Sequence, residues 1–499
     1  MALIEEIEDD KRRSPSPIKV EEITDEEDEK PRKPKVAPPP PAATSAPPAP
    51  VSDFQKKLQD LTSKMALPSD LLPAFMSEQA GKLLVDVSAQ KLTSAPIVFE
   101  SYKDQVQRCL ARLFPLIQSP DWASLSFEEQ ASTLSQILRL RGNDAWTSPG
   151  ISDMVDTSGV DTTELSRYNL ISVLRPLFSP HPYISNNRAV AKPLGGAEAM
   201  DDLQETSTYK TQNGWGSANL LHWSSSVLPP IQLEKQLNLI LPPTLTMMDD
   251  WEPFWRLKGI WVLSGWLRNM DKEELKRRNL NSLLLKSLLH TLSLHAKDSG
   301  VVLNTIVGFL LDDFKGEKRA DILNEIVDKA CISAWSYASG EDAKAMLIQA
   351  AVDWETMCGV LGAGVARWLK AAIPSLLAPL EIPPMPSNLS HLKANLSALL
   401  ATAQTLKGTG RISRWRGQIL SMIAKMWVML CERWPEAGGA DMVDDTNGSE
   451  KEQVAQIKSL ARGICDLIAD ECPSVRANEF QSLLDLNKAL FAPLVSAPS

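Results

Sequence analysis

Strand-like alternation is missing from this chain: no stretch of any length alternates apolar and polar residues, which excludes a sheet-based domain and leaves an all-α reading. Cysteine is sparse and scattered. Cys109, Cys331, Cys358, Cys431, Cys465 and Cys472 include no CxxC pair, so a secreted disulfide framework is excluded and buried thiols in a reducing compartment are expected. A zinc site from Cys465 and Cys472 would need two further ligands. The five histidines, His181, His222, His290, His295 and His391, form no HExxH, and His290 and His295, five apart, point in different directions on a helix. GxxxxGK[ST], GxGxxG and GxSxG are all absent, which leaves phosphate cradles and nucleophile elbows without support. No catalytic, metal or cofactor site is therefore expected. The opening MALIEEIEDDKRR has no apolar signal core, and no window approaches the length needed to span a bilayer, so a cytoplasmic and nuclear protein without a membrane partner is expected. Basic charge is also short, and a net charge of −10 argues against wrapping a nucleic-acid backbone.

Residues 1–52 read as a disordered tail. Twelve acids and eight basic residues share the first fifty positions with a proline-rich run from Pro31 to Pro50, a composition that cannot bury enough surface to offset its ordering entropy. Ser14 and Ser16, each followed by proline, fit proline-directed phosphorylation. Thr24 precedes an acidic run that suits an acidophilic kinase, and Lys19 sits in a sumoylation-like Ile-Lys-Val-Glu. A solubilising tail is the plainer reading.

A helical region follows over 53–178. Phe54, Leu58 and Leu61 share a stripe, with a broken second piece around Leu71 to Leu84. A firmer helix from about Ser101 carries Val106, Cys109, Leu110 and Leu113, and Pro115 is expected to end or kink it. Ser126-Phe127-Glu128-Glu129 predicts a capping box, and Asp161-Thr162-Thr163-Glu164 another helix start. Over 179–217 prolines and glycines break every period, which predicts a loop insertion on one face of the stack.

The stretch from Leu237 to Leu267 organises the rest. Leu237, Ile240, Leu241, Leu245 and Met248 form one apolar stripe, inside which Pro242-Pro243 predicts a bend or a restart. Asp249-Asp250-Trp251-Glu252-Pro253 is turn and cap chemistry. The stripe resumes in Phe254, Leu257, Ile260, Trp261, Ser264 and Leu267. Two amphipathic helices on so short a turn form an antiparallel hairpin, and a hairpin striped on both arms must be covered by stacked neighbours. Helical pairs recur at about the 40-residue spacing of such arrays. Leu280–Leu294 pairs with Val301–Phe314, then Ile322–Ala338 with Asp342–Val352. The expected organisation is central repeats over 218–378 and C-terminal repeats over 379–499, with a polar loop at 436–450.

Pro242, Asp250, Pro253 and Arg256 in this register resemble the HEAT repeat, and the resemblance implies that the acid and the arginine are structural, bonding between successive units. With its flanks the segment resembles the signature of the Tti-two family, the smallest subunit of the Triple-T co-chaperone complex. Gly410–Arg416, opening a long amphipathic helix that runs past Trp427, resembles the C-terminal part of the same family. The resemblance implies a HEAT-like, armadillo-type solenoid without enzyme activity, bound to the helical-repeat proteins Tti-one and, through it, Tel-two. It further implies service, with the Hsp-ninety chaperone, in the maturation of phosphatidylinositol-three-kinase-related kinases, including those of target-of-rapamycin signalling and the DNA-damage checkpoint. A generic HEAT adaptor for another assembly or transport complex shares every physical feature.

Fourteen tryptophans complete the inventory. Tryptophan suits both cores and binding hot spots, so Trp251, Trp255, Trp415 and Trp427 are the candidate partner-binding residues, while Trp261, on the stripe, is read as core. Trp415, Ile419, Met422, Ile423, Met426, Trp427 and Leu430 form more apolar surface than one stripe needs, which makes the late helices a candidate docking face.

Overall fold

The structure is a computed structural model that describes residues 52–68, 94–142, 144, 146–147, 150–151, 160–178, 208–294, 299–340, 342–435 and 448–495. The chain divides between Val51 and Ser52 into two units, and every described residue belongs to the second. Ser14, Ser16, Lys19 and Thr24, the piece read at Leu71–Leu84, His181, His295, and residues 179–207 and 436–447 of the two expected loops lie outside the described residues.

Among the described residues every regular element is helical. Ser52, grouped by composition with the tail, caps α1 (Asp53–Met65): its hydroxyl accepts from the Gln55 amide while Gln55 answers on the Ser52 N–H. α2 (Ser94–Ile117) begins upstream of the predicted Ser101 and carries Pro115 inside its last turn. α3 (Phe127–Leu138) opens on the expected Ser126–Glu129 capping box. α4 (Thr162–Tyr168) opens on Asp161, which accepts from the Thr163 and Glu164 amides, and continues through a wider π turn to Leu174.

The α-helices of seven residues or more that follow are α5 (Ser217–Ser226), α6 (Pro230–Met248), α7 (Pro253–Leu267), α8 (Leu280–Leu294), α9 (Ser299–Thr305), α10 (Gly316–Val327), α11 (Ala343–Leu361), α12 (Leu369–Leu377), α13 (Leu389–Thr405), α14 (Arg416–Arg433), α15 (Gly448–Glu471) and α16 (Gln481–Val495). They stand in two rows. In one row α5, α7, α9, α11, α13 and α15 each pack against the next; α6, α8, α10, α12 and α14 each lie against a partner in that row. Stacked pairs that bury one continuous core are a helical solenoid, and here the buried cluster runs from Leu58 to Leu494.

Four expectations change. Of the bend or restart expected at Pro242-Pro243, the restart does not occur: α6 is one helix from Pro230 to Met248 with both prolines inside it, and packing along α7 outweighs a cost of about 3 kcal/mol for an interior proline. α7 has no single stripe. Trp255, Gly259, Val262, Leu263 and Trp266 are buried beside Ile260 and Leu267, whereas the predicted Leu257, Trp261 and Ser264 are only half-buried. A helix touching α5, α6 and α9 is covered on several sides, which erases amphipathic contrast. The helical run Ala343–Glu381 is long and apolar enough to cross a membrane by length and composition, contrary to the sequence reading. Its first helix packs instead along α9 and α13 and buries Trp354 and Asp353. Finally, Ile419, Met422, Ile423, Met426, Trp427 and Leu430 are all buried, because α15 and α16 cover α14. The unforeseen α16 is the reason: the Trp427 Nε1–H donates to the Leu490 carbonyl at 2.9 Å.

Candidate functional site at the Asp250 turn

The hairpin turn between α6 and α7 is built around one carboxylate. Asp250 follows the last turn of α6, its side chain only 4% exposed. Oδ1 accepts from the Glu252 amide at 2.9 Å, an Asx turn that sets α7 in motion at Pro253. The same oxygen lies 2.8 Å from the Lys210 ammonium, and Oδ2 accepts from the Tyr209 hydroxyl. Lys210 also reaches Glu252 at 3.3 Å. Burial of a carboxylate is tolerable only with such partners.

Tyr209 and Lys210 come from the 208–217 end of the expected insertion, which is therefore not a free loop. Two tight 3-10 turns, Thr208–Lys210 and Gln212–Gly214, press it onto the solenoid. The Tyr209 ring stacks on Phe178 at 4.8 Å and meets Trp255 edge-on at 5.1 Å. Arg139, at the end of α3, donates from Nη1 to the carbonyls of Asn213 and Trp215 at 2.8 and 2.7 Å. Burial draws the Arg139 guanidinium down to about 10. Gly216 turns the chain at φ +62°, where a Cβ would strike Arg139. Beyond it Asn219 of α5 donates to the Arg139 carbonyl and to Asp144, and Asp144 pairs with Lys258 of α7 at 2.5 Å. One polar chain thus fastens α3, the 208–217 segment, α5 and α7.

Each residue singled out by sequence has a distinct place. Pro242 is exposed on α6 and Pro253 opens α7. The Arg256 Nη2–H donates to the Trp251 carbonyl at 3.0 Å, so the acid and the arginine work on opposite ends of one turn. Trp251 is 56% exposed, with the Lys210 ammonium 5.3 Å from its ring centre. Trp255 and Trp427 are withdrawn into the chain's own core, and Trp415 is half-buried. A rigid turn presenting one large, amphipathic aromatic ring is chemistry for gripping another protein. Trp251 alone of the four candidates is exposed.

Tyr209, Lys210, Arg139, Asp144 and Lys258 escaped the sequence reading. Their only sequence signal is an aromatic-basic pair in a segment without helical period, and pairing across such distances leaves no local trace.

Among the described residues no cysteine forms a disulfide; Cys431 and Cys472 are half-buried and the other four buried. Burial pushes the Cys465 thiol up to about 12. Among the described residues no group of three His, Cys, Asp or Glu side chains stands where it could hold a metal. His222 is half-buried, His290 exposed and His391 buried.

A family model described as the Tti2 family matches residues 131–387, half of the chain. The match begins in α3 and ends before α13, so it contains the whole Asp250 turn and its anchoring residues. Gly410–Arg416, which carried part of the resemblance, lies beyond it. No curated protein matches the chain.

Proposed function

We propose a scaffold role from one premise: the chain belongs to the Tti2 family. Membership supports a subunit role in the Triple-T complex. The finer reading is that the solenoid binds Tti-one, through it Tel-two, and so serves Hsp-ninety in maturing phosphatidylinositol-three-kinase-related kinases. The observation that carries it is the match over 131–387, because it spans the Asp250 turn, where Trp251 stands exposed on a braced hairpin. Stacked helical pairs suit a large helical-repeat partner, since such arrays offer extended surfaces and few deep pockets. A subunit serving these kinases would be found in cytoplasm and nucleus, which a fluorescent fusion checks.

The test is co-expression with Tti-one. A partner that binds only the folded state stabilises it by about 2.7 kcal/mol at a hundredfold excess over the dissociation constant. Co-purification with a raised thermal midpoint is expected. Equal midpoints with and without Tti-one, and no co-purification, leave the generic HEAT adaptor as the reading.

A further inference from the structure

A second feature lies on the same helices and has no part in the hairpin turn. Between α5, α7 and the end of α3 the surface opens into a cleft of about 400 Å³, lined by Arg141, His222, Trp223, Ser226 and Trp261. That volume falls in the ordinary range of small-ligand sites. The His222 imidazole lies flat on Trp261, ring centres 3.7 Å apart and planes 5° apart. Gly265 permits this approach: a Cβ there would strike His222 and the Ser226 hydroxyl.

The charges around the cleft are unbalanced. Lys258, 4.8 Å from the Trp261 ring centre, is compensated by Asp144. Arg141 and Arg268 are exposed, and among the described residues neither has an ion-pair partner. Both stand close enough to act on His222, whose pKa falls to about 4 through burial first and then through Lys258, Arg268 and Arg141. The imidazole is therefore neutral at physiological pH, with one N–H to donate. The Ser226 hydroxyl is buried without a hydrogen-bond partner among the described residues, an arrangement that ordinarily calls for one.

We propose that this cleft binds a phosphate monoester, with Arg141 as its principal charged contact and the Ser226 hydroxyl and His222 N–H completing the donor set. Uncompensated cations in an acidic chain call for an anion. A guanidinium fork with two further donors would also satisfy a carboxylate's four lone-pair sites, but the surplus positive charge of Arg141 and Arg268 favours the nearly dianionic phosphate monoester, whose three terminal oxygens take the same donors. The aromatic wall of Trp223 and Trp261 suits whatever carries the ester.

Isothermal titration of the full chain tests this, with inorganic phosphate, a short phosphoserine peptide and its unphosphorylated counterpart as probes. The phosphate-bearing peptide is expected to bind and its counterpart to fail. Added salt should weaken the binding. Arg141→Gln, at an exposed position, should keep the parent's thermal midpoint and lose about tenfold or more in affinity. Ser226→Ala should weaken binding as well. Binding of inorganic phosphate and peptide alike supports the proposal with the phosphate group as sufficient ligand; binding of the phosphopeptide alone supports it with a peptide-borne ester as the source. Absence of binding by both probes overturns it, as does an Arg141→Gln protein that binds like the parent. Failure here leaves the Triple-T reading untouched, because its test reads co-purification with Tti-one.

Discussion

Lys210 and Asp250 stand forty positions apart in sequence, yet Nζ lies 2.8 Å from Oδ1 and both side chains are nearly enclosed, at 11% and 4% exposure. Breaking a buried pair from one side leaves an uncompensated charge, at a cost of about 3–5 kcal/mol. Lys210→Met should therefore lower stability by about that amount. Lys210→Met with Asp250→Asn should cost clearly less than the two single changes added together. Denaturant melts of all four proteins measure the coupling, and simple additivity would show that the pair does not act as one.

Trp251 and Trp427 should separate surface from core. Trp427 is wholly enclosed, so Trp427→Ala should cost about 3–5 kcal/mol. Trp251→Ala removes an exposed ring and should alter stability by less than about 0.5 kcal/mol. If the turn grips a partner, the same change weakens binding by about 2 kcal/mol or more. Thermal melts and a pull-down with Tti-one read the two effects, and unchanged capture by the Trp251 variant would remove the anchor from the interface.

A buried acid predicts a pH dependence. Asp353 is enclosed between α9 and α11, accepting from Ser299 and, at 2.8 Å, from the Gln349 amide. Burial pushes its carboxyl up from 3.8 to about 6, although both hydrogen bonds pull the other way. Because the folded pKa is the higher, the associated stability is full below the unfolded value, fades as pH rises through about 6, and is gone above it. The difference is about 3 kcal/mol. Asp353→Asn abolishes this titration, so its thermal midpoint relative to the parent should climb between pH 4 and 7 and then stay level. A gap independent of pH would refute the assignment.

The acidic and proline-rich segment should be dispensable for the fold. Its composition offers almost no apolar surface after Ile23. Deleting residues 1–50 should leave the thermal midpoint and the helicity per remaining residue nearly unchanged. A clear fall in midpoint would show that the segment supports the solenoid.

What the sequence determined by itself was local. Capping at Ser126 and Asp161 is written in side chains two or three residues from the amides they hold, so those starts were legible. The all-α class and most paired helices followed from the 3.6-residue period, and the family from the Asp250 hairpin. Tertiary structure decided whatever depended on neighbours distant in the chain. α7 was assigned the wrong buried face because helices pack on it from several sides, and period cannot reveal which faces a third helix will cover. The late docking surface vanished because α16 returns to cover it. The partners of Asp250 were hidden in a segment without periodicity, since a carboxylate's need for a cation is legible in sequence whereas the fold alone chooses which cation meets it.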